Sequence, residues 1–170
     1  MPFAPTIAIL TLLAVLVVML GEAALSSHNE RVLRGRGAVE PAGDVYAMMR
    51  WAYPTCFVAM AVEGALIGPA SRDILVSGLA VFGLAKALKM WAISTLGVRW
   101  TFRILVVRDA ALVARGPYAL LRHPNYVAVI GELIGMALIV RAPFTGILAV
   151  VGFGLLLMRR IAIEDRALGR

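Results

Sequence analysis

The densest group of reactive side chains lies in the string RGPYALLRHPNY, residues 115–126. It contains the imidazole of His123, the phenols of Tyr118 and Tyr126, and the guanidinium of Arg122. A guanidinium can hold a carboxylate through paired hydrogen bonds, and an aromatic ring can face a cation. With a carboxylate from elsewhere in the chain, these groups would suit a small zwitterionic cofactor.

A second charged segment, RRIAIEDRALGR at residues 159–170, can supply that carboxylate. Arg160 and Glu164 are four positions apart, so on a helix they share one face and are expected to pair. A simpler interpretation also stands. Both segments could anchor lipid headgroups through arginine, with His123-Pro124 as a mere turn.

The composition indicates what must position these segments. Apolar residues make up 61% of the chain and charged residues 16%, whereas globular domains average about 45–50% and about 25%. Lipid must therefore solvate part of the apolar surface. The net charge of +7 comes mainly from arginines in short connections, which is typical of contact with anionic headgroups and not of nucleic-acid binding. A single cysteine, Cys56, and two histidines without clustered spacing predict no metal site.

Five apolar runs predict an all-α integral membrane protein with five transmembrane helices in one membrane domain over residues 1–170. The spans are expected at residues 5–25, 45–68, 74–97, 126–140 and 142–158. The first run is long and lacks an early positive charge, so a retained helix is favoured over a signal peptide. Residues 98–125 form the motif loop, and residues 159–170 continue the fifth helix as a C-terminal helix.

Several short segments predict local structure. Residues 26–44 are predicted to form a short interfacial helix and a turn. Residues 101–107 and 111–114 are expected to form a short strand pair around a turn at Arg108 and Asp109. The separator 141–143 predicts a helical hairpin. Five glycines are expected to let the two helices of that hairpin approach closely: Gly131, Gly135, Gly146, Gly152 and Gly154.

Span parity sorts the arginines of the connections and tails into twelve on one side and two on the other. The twelve are Arg31, Arg34, Arg36, Arg99, Arg103, Arg108, Arg115, Arg122, Arg159, Arg160, Arg166 and Arg170, and the two are Arg72 and Arg141. The positive-inside rule then places the N-terminus outside and the C-terminus in the cytoplasm, as in a bacterial inner membrane. The same parity brings the last connection and the C-terminal helix to one cytoplasmic face, where they would form the cofactor-binding region.

Ionisable residues inside spans are functional candidates by default. Glu63 and Glu132 are expected to border a substrate channel, although a hydrogen bond between helices would explain Glu132 equally well. Lys86 and Lys89 are expected to extend toward the nearer interface.

The string GPYALLRHPNY resembles the GPY-x(3)-RHP-x-Y signature of the isoprenylcysteine carboxyl methyltransferase family of integral membrane methyltransferases. Three further segments resemble family features: Leu96-Gly97, Gly131-Glu132-Leu133 and Arg160-x(3)-Glu164-Asp165-x(2)-Leu168. The resemblance covers roughly residues 91–170. Related membrane phospholipid methyltransferases and some sterol reductases carry similar strings.

The resemblance implies S-adenosylmethionine as cofactor and a lipophilic acceptor that enters from the bilayer. Carried over by motif position, the cofactor-lining residues would be Tyr118, His123, Pro124, Tyr126 and Glu164. Arg160 would orient the acidic oxygen of the acceptor. Arg122, which belongs to the GPY-x(3)-RHP-x-Y motif, is the second catalytic candidate. The family's usual Glu-Glu pair is Glu164-Asp165 here, so the second carboxylate is one methylene shorter.

The N-terminal half narrows the acceptor only loosely. Five features resemble a bacterial branch that methylates a hydroxyl of alkylresorcinols or alkylpyrones: Glu22, Ser26, Asn29-Glu30-Arg31, the stretch 37–40 and Glu63. A prenylcysteine-type carboxylate is ionised at neutral pH, whereas a phenol would need a base or a nearby cation. Two alternatives remain, a phospholipid N-methyltransferase and a small membrane scaffold or transporter subunit.

Overall fold

The computed structural model describes residues 3–107 and 110–169, and these residues form five α-helices without a β-strand. The helices are α1 (Phe3–Gly35), α2 (Tyr46–Ile67), α3 (Arg72–Leu96), α4 (Pro124–Val140) and α5 (Pro143–Ala167). Each coincides with one predicted span to within a few residues or extends beyond it, so the all-α prediction is confirmed. The predicted turn at Arg108 and Asp109 and the last residue, Arg170, lie outside the described residues.

Three of the described helical stretches are long and apolar enough to cross a membrane: Thr6–Gly35, Arg72–Arg99 and Pro143–Ala167. The apolar helix α4 is shorter, at 17 residues, or about 26 Å at 1.5 Å per residue. Large apolar side chains remain exposed along the outer surface, Leu66 at 83% and Leu148 at 71% among them. This outer surface suits lipid and not water, and the chain is a membrane protein. The count of five spans remains a prediction.

Helix α1 is longer than the predicted first span. It continues through residues 26–34, because one face of this stretch buries Ser26, Asn29 and Leu33 against the rest of the molecule. The helix ends where Gly37 adopts a positive φ of 79° and Leu33 accepts hydrogen bonds from the amides of Arg36 and Ala38. The predicted separate interfacial helix is therefore the end of α1.

Helices α3 and α4 pack closely through glycine. A Cβ placed on Gly135 would lie 2.7 Å from the Cβ of Phe82, and one on Gly131 would lie 2.8 Å from the Cβ of Ala85. The prediction that these two glycines face α5 is wrong, since both face α3. Only Gly146, among the five predicted glycines, joins α4 and α5 closely: a Cβ there would lie 2.5 Å from the Cβ of Ala137.

The predicted hairpin of α4 and α5 is present, with Arg141 in the left-handed region at φ 57° and Pro143 as the first residue of α5. Glu63 of α2 caps this start, accepting hydrogen bonds from the amides of Phe144 (3.0 Å) and Thr145 (2.7 Å). A carboxylate is favourable there because the first amides of a helix lack partners and carry partial positive charge.

Residues 100–107, here called the strap, cross the other end of the bundle, which we call the motif end. The predicted pairing of residues 101–107 with 111–114 is wrong. The N-terminal half of the chain instead holds alternate amides of the strap: Phe102 N–H donates to Ser26 Oγ (2.8 Å), Ile104 N–H to Asp44 (3.1 Å), and Val106 pairs with Val39. Side chains of α1 and of the segment before α2 accept hydrogen bonds from the strap, so residues 101–107 do not form a hairpin with residues 111–114.

Candidate functional site

A cavity of about 410 Å³ lies beneath the strap and is lined by residues of all five helices. Its motif end is polar, and its remaining wall is mostly apolar. The polar residues at the motif end include Tyr118, His123, Asn125, Tyr126, Arg160 and Glu164; the apolar residues of the wall include Leu16, Met19, Met49, Val129, Phe153 and Leu157. The structure therefore brings the motif loop and the end of α5 together around one space.

Local chain geometry positions the motif residues. Gly116 has a positive φ of 58° and lies against α3, where a Cβ would be 2.6 Å from Thr95 Oγ1. The chain then forms a short 3₁₀ turn, Gly116–Ala119, that carries Tyr118. His123, with φ −132° and ψ 62°, is outside the helical region but does not reach the fully extended conformation usual before proline, and Pro124 is the buried first residue of α4. Pro124 therefore begins the helix below the cavity, and its side chain is not on the wall.

His123, Tyr126 and Glu164 form one contiguous group. The His123 ring stacks on the Tyr126 ring with centroids 5.4 Å apart, and the Tyr126 hydroxyl donates to Glu164 Oε2 at 2.5 Å. His123 Nδ1 lies 3.8 Å from Glu164 Oε2, and its Nε2 lies 3.2 Å from Asp165 Oδ1. In the described chain no lysine or arginine forms an ion pair with Glu164. This carboxylate on the cavity wall is thus open to a cationic ligand.

Arg160 is 4% exposed and is held by three different partners. Its Nε donates to the Tyr126 hydroxyl at 2.8 Å, its Nη1 to Asp44 Oδ1 at 2.9 Å, and its Nη2 to the carbonyl oxygen of Phe102. Arg160 does not pair with Glu164 as predicted. Instead, Arg160 and Glu164 each form a hydrogen bond with the Tyr126 hydroxyl. With these donors engaged, Arg160 positions Tyr126 and the strap.

Asp44 was missed by sequence reasoning. Besides Arg160, its carboxylate accepts hydrogen bonds from the amides of Tyr46 (3.1 Å) and Ile104 (3.1 Å). It therefore joins α5, the strap and the start of α2. An aspartate just before an apolar helix is a helix-start signal, but nothing in the sequence indicates that an arginine 116 positions later shares it.

Arg122 lies apart from the cavity. Its side chain is 65% exposed, and its Nη2 lies 3.5 Å from Asp165 Oδ2. Tyr118, in contrast, lines the cavity. Burial, and secondly the negative charge of Glu164, raise the pKa of the Tyr118 phenol well above its usual value. Tyr118 therefore stays a neutral hydroxyl at physiological pH.

A second polar group lies deeper in the bundle and consists of Glu22, Lys86, Lys89 and Glu132, here called the intramembrane cluster. Lys89 Nζ lies 2.7 Å from Glu22 and 3.2 Å from Glu132, and Lys86 Nζ lies 2.9 Å and 3.0 Å from the same two carboxylates. Tyr53 donates its hydroxyl to Glu132. The expectation that the two lysines extend to the interface is wrong, since each finds two opposite charges inside the bundle.

The two predicted channel residues have different places. Glu63 caps α5 at the end of the bundle opposite the motif, away from the cavity. Glu132 is fully buried behind Lys89, while Glu22 and Lys89 themselves reach the cavity wall. The signal that could have identified Glu22 was present in the sequence: two carboxylates and two lysines within spans must neutralise one another in lipid. Within residues 3–107 and 110–169, no group of three or more His, Cys, Asp or Glu side chains could hold a metal ion.

Fold and site together define a small helical membrane protein with a polar cavity at one end of its bundle. Residues 77–170, more than half of the chain, match the model of the isoprenylcysteine carboxyl methyltransferase (ICMT) family. The chain belongs to this family, and membership supports a methyltransferase that acts on lipophilic substrates.

Two relatives are similar along nearly their whole length. One, from Bacillus subtilis (strain 168), is the uncharacterized protein YpbQ; it is 32% identical over 158 residues, which cover 92% of this chain and 94% of the relative. The other, an uncharacterized protein of Haemophilus influenzae, is 24% identical over 160 residues, 94% of this chain and 93% of the relative. No solved structure matches the chain.

Proposed function

We propose that this protein is an S-adenosylmethionine-dependent methyltransferase that methylates an oxygen atom of a lipophilic acceptor. The observation that carries the proposal is the group of His123, Tyr126 and Glu164 at the polar end of a largely apolar cavity. A polar end suits a charged cofactor, and an apolar wall suits an acceptor that arrives from lipid.

The side chains at the motif end fit this cofactor. Glu164, which has no Lys or Arg partner in the described chain, would take the ammonium group. Arg99 lines the cavity and donates at 2.6 Å to the carbonyl oxygen of Ala111; its remaining donors would take the carboxylate. Tyr118 and Tyr126 would offer aromatic faces to the sulfonium or adenine. The bound cofactor supplies a methyl group that is activated by the positive sulfur.

The acceptor has a route from the lipid. Leu20 lines the cavity and is also 70% exposed on the outer surface of the bundle. Arg50, at the start of α2, is likewise both a wall residue and exposed. The cavity wall and the outer surface thus share residues of α1 and α2, and we infer that the cavity opens to lipid between these helices. An acyl or prenyl chain would extend there while its polar group faces the motif end.

The protein residues would act mainly by alignment. Arg160 fixes the Tyr126 hydroxyl, Tyr126 fixes Glu164, and Asp44 fixes Arg160. Holding the acceptor oxygen in line with the methyl carbon is worth several kcal/mol in such reactions, and the apolar wall excludes competing water. Arg160 is a positioning residue in this proposal. Arg122 lies outside the cavity and is connected to the cofactor group only indirectly, through the contact of Asp165 with His123.

The membrane orientation is part of the proposal. Ten of the twelve arginines assigned to one side are among the described residues, and they belong to the end of α1, the loop before α4 and the end of α5, which meet at the motif end. Arg141 lies at the opposite end, where its guanidinium donates to Pro69 O at 3.3 Å. By the positive-inside rule the motif end faces the cytoplasm of a bacterial inner membrane. The whole of residues 1–170 would then be one membrane domain with a cytoplasmic cofactor site.

The test uses purified protein, labelled S-adenosylmethionine and three acceptors: a prenylcysteine analogue, an alkylresorcinol and phosphatidylethanolamine. We expect calorimetry to detect cofactor binding, and label to enter the prenylcysteine carboxylate or the alkylresorcinol hydroxyl. Label in phosphatidylethanolamine alone would instead indicate N-methylation of phospholipid. Absence of cofactor binding would overturn the enzyme proposal in favour of a membrane scaffold.

A further inference from the structure

The cavity has a second polar feature that the alignment of the cofactor does not use. Glu22 and Lys89 of the intramembrane cluster line its wall, although they are only 6% and 2% exposed. Glu132, which contacts Lys89, follows Tyr126 by six residues on α4 and therefore lies about 9 Å deeper along that helix. The cluster and the cofactor group are thus separate parts of one cavity.

The cations that line the buried wall are already compensated. Lys89 contacts Glu22 and Glu132, and Arg160 contacts Asp44. A carboxylate placed among them would have no free counter-charge and would meet the negative Glu22, which is costly in a low-dielectric site. A hydroxyl brings no charge, so this wall favours a neutral hydroxyl as the reacting group.

Glu22 can receive such a hydroxyl. Its Oε1 accepts one hydrogen bond from Lys86 and its Oε2 one from Lys89. A carboxylate oxygen has two lone pairs, so each oxygen keeps one acceptor site. Glu22 is therefore an acceptor on the wall, held in place by two lysines.

We propose that Glu22 accepts the proton of a hydroxyl-bearing methyl acceptor, an inference that rests on the proposed methyltransferase function. The acceptor oxygen forms a bond to the methyl carbon, and the carbon–sulfur bond breaks with its electron pair left on sulfur. The hydroxyl proton passes to a Glu22 carboxylate oxygen. Glu22 becomes neutral, and Lys89 keeps Glu132 as counter-ion.

A carboxylate is a strong enough base for this step. As the carbon–oxygen bond forms, the hydroxyl oxygen loses electron density and its proton becomes far more acidic than that of a free phenol. Proton transfer therefore occurs along with methyl transfer and needs no preformed phenolate. Lys89 acts as a positioning residue that orients Glu22.

The decisive measurement is the pH dependence of alkylresorcinol methylation between pH 6.5 and 9. We expect a flat wild-type profile, because the contacts with Lys86 (2.9 Å) and Lys89 (2.7 Å) favour the carboxylate form of Glu22. In Glu22→Gln the rate at pH 7 should fall by about 10²–10⁴, the usual contribution of a general base. It should then rise about tenfold per pH unit, because only phenolate formed in solution, with a pKa near 10, can react. A purely structural role would lower the rate by the same factor at every pH.

Acceptor binding provides a second measurement that does not depend on catalysis. Binding of the alkylresorcinol to cofactor-free protein should weaken about tenfold or more in Glu22→Gln, since a hydrogen bond to a charged group is lost. Glu63→Gln is the matched control, a carboxylate of another helix that caps α5 far from the cavity. It should leave the pH profile and acceptor binding unchanged.

Several results would overturn the inference. They are a wild-type rate that itself rises tenfold per pH unit, a flat profile in Glu22→Gln, or a wild type that methylates only the carboxylate acceptor. The last would leave the proposed function intact, whereas failure to bind the cofactor would remove both. If Glu22→Gln does not fold, the wild-type profile and Glu22→Asp, which keeps a carboxylate and should stay flat, decide the question.

Discussion

The hydroxyl of Tyr126 donates to Glu164 at 2.5 Å, joining two residues that are 38 positions apart on adjacent helices. The same hydroxyl accepts a hydrogen bond from Arg160. One phenol thereby connects the motif loop, the end of α5 and, through Arg160 and Asp44, the N-terminal half of the chain. The site is held by residues inside the family-matching region, which begins at residue 77, and by Asp44, which precedes it.

Glu164→Gln should weaken S-adenosylmethionine binding about 10- to 100-fold, because a charge-assisted hydrogen bond is worth about 1.5–3 kcal/mol. Calorimetry on purified protein measures the change. Asp165→Asn is the neighbouring control; its carboxylate contacts His123 and Arg122 behind the cavity, and we expect less than about a threefold effect, under about 0.7 kcal/mol. Equal affinities for Glu164→Gln and the wild type would mean that the ammonium binds elsewhere.

Asp44→Ala should lower the free energy of unfolding by about 3–5 kcal/mol, the usual cost of leaving a buried charge without its partner. Arg160 would lose its counter-ion, and the amide of Ile104 would lose its acceptor. Chemical denaturation monitored by tryptophan fluorescence provides the measurement. The exposed Asp73, in the first turn of α3, is the control, and Asp73→Ala should cost less than about 1 kcal/mol. Similar losses for the two variants would contradict the buried ion pair.

Gly135→Ala should destabilise the protein by about 1–3 kcal/mol, since the added methyl would lie 2.7 Å from Phe82 and force α3 and α4 apart. Gly152→Ala is its counterpart on α5, where no described atom lies within 4 Å of the added carbon. There we expect a gain of up to about 1 kcal/mol from helix propensity. Thermal unfolding of both variants tests the packing, and equal melting temperatures would disprove the close α3–α4 contact.

Glu40 should make stability depend on pH at the acidic end. Burial alone would raise the pKa of its carboxyl, but hydrogen bonds from Arg103 (2.7 Å) and Arg34 (2.6 Å) outweigh this and leave the pKa below its usual value. Because the pKa is lower in the folded state, the ionised Glu40 carboxylate stabilises the folded protein at pH values above the unfolded pKa near 4.5. This stabilisation is lost as the pH falls through the folded pKa.

Glu40→Gln should therefore cost less than about 1 kcal/mol at pH 7, because the side chain is still 24% exposed and solvent screens its charge. The difference from the wild type should vanish at the acidic end, once the carboxyl is protonated in both states. Thermal unfolding from pH 3 to pH 7 measures it. A difference that persists at pH 3 would show that Glu40 acts through packing and not through its charge.

Much of the architecture follows from local sequence. The apolar runs, the prolines at the first positions of α4 and α5, and the short separator at Arg141 determine where helices begin and end, because these effects act over a few residues. The span parity likewise predicted that the motif loop and the end of α5 lie at one end of the bundle, where His123 and Glu164 are in contact.

Only the tertiary structure decided which partners the charged and small residues find. The sequence marks Lys89, Glu22 and Glu132 as ionisable groups inside spans, but it does not show which of them pair. Nor does it show that Gly135 faces α3 or that Asp44 binds Arg160. Helices that are apolar on all sides carry little pattern to show which face turns inward. Their rotation and neighbours are decided by packing and by the need to pair every buried charge, which depend on the whole bundle at once.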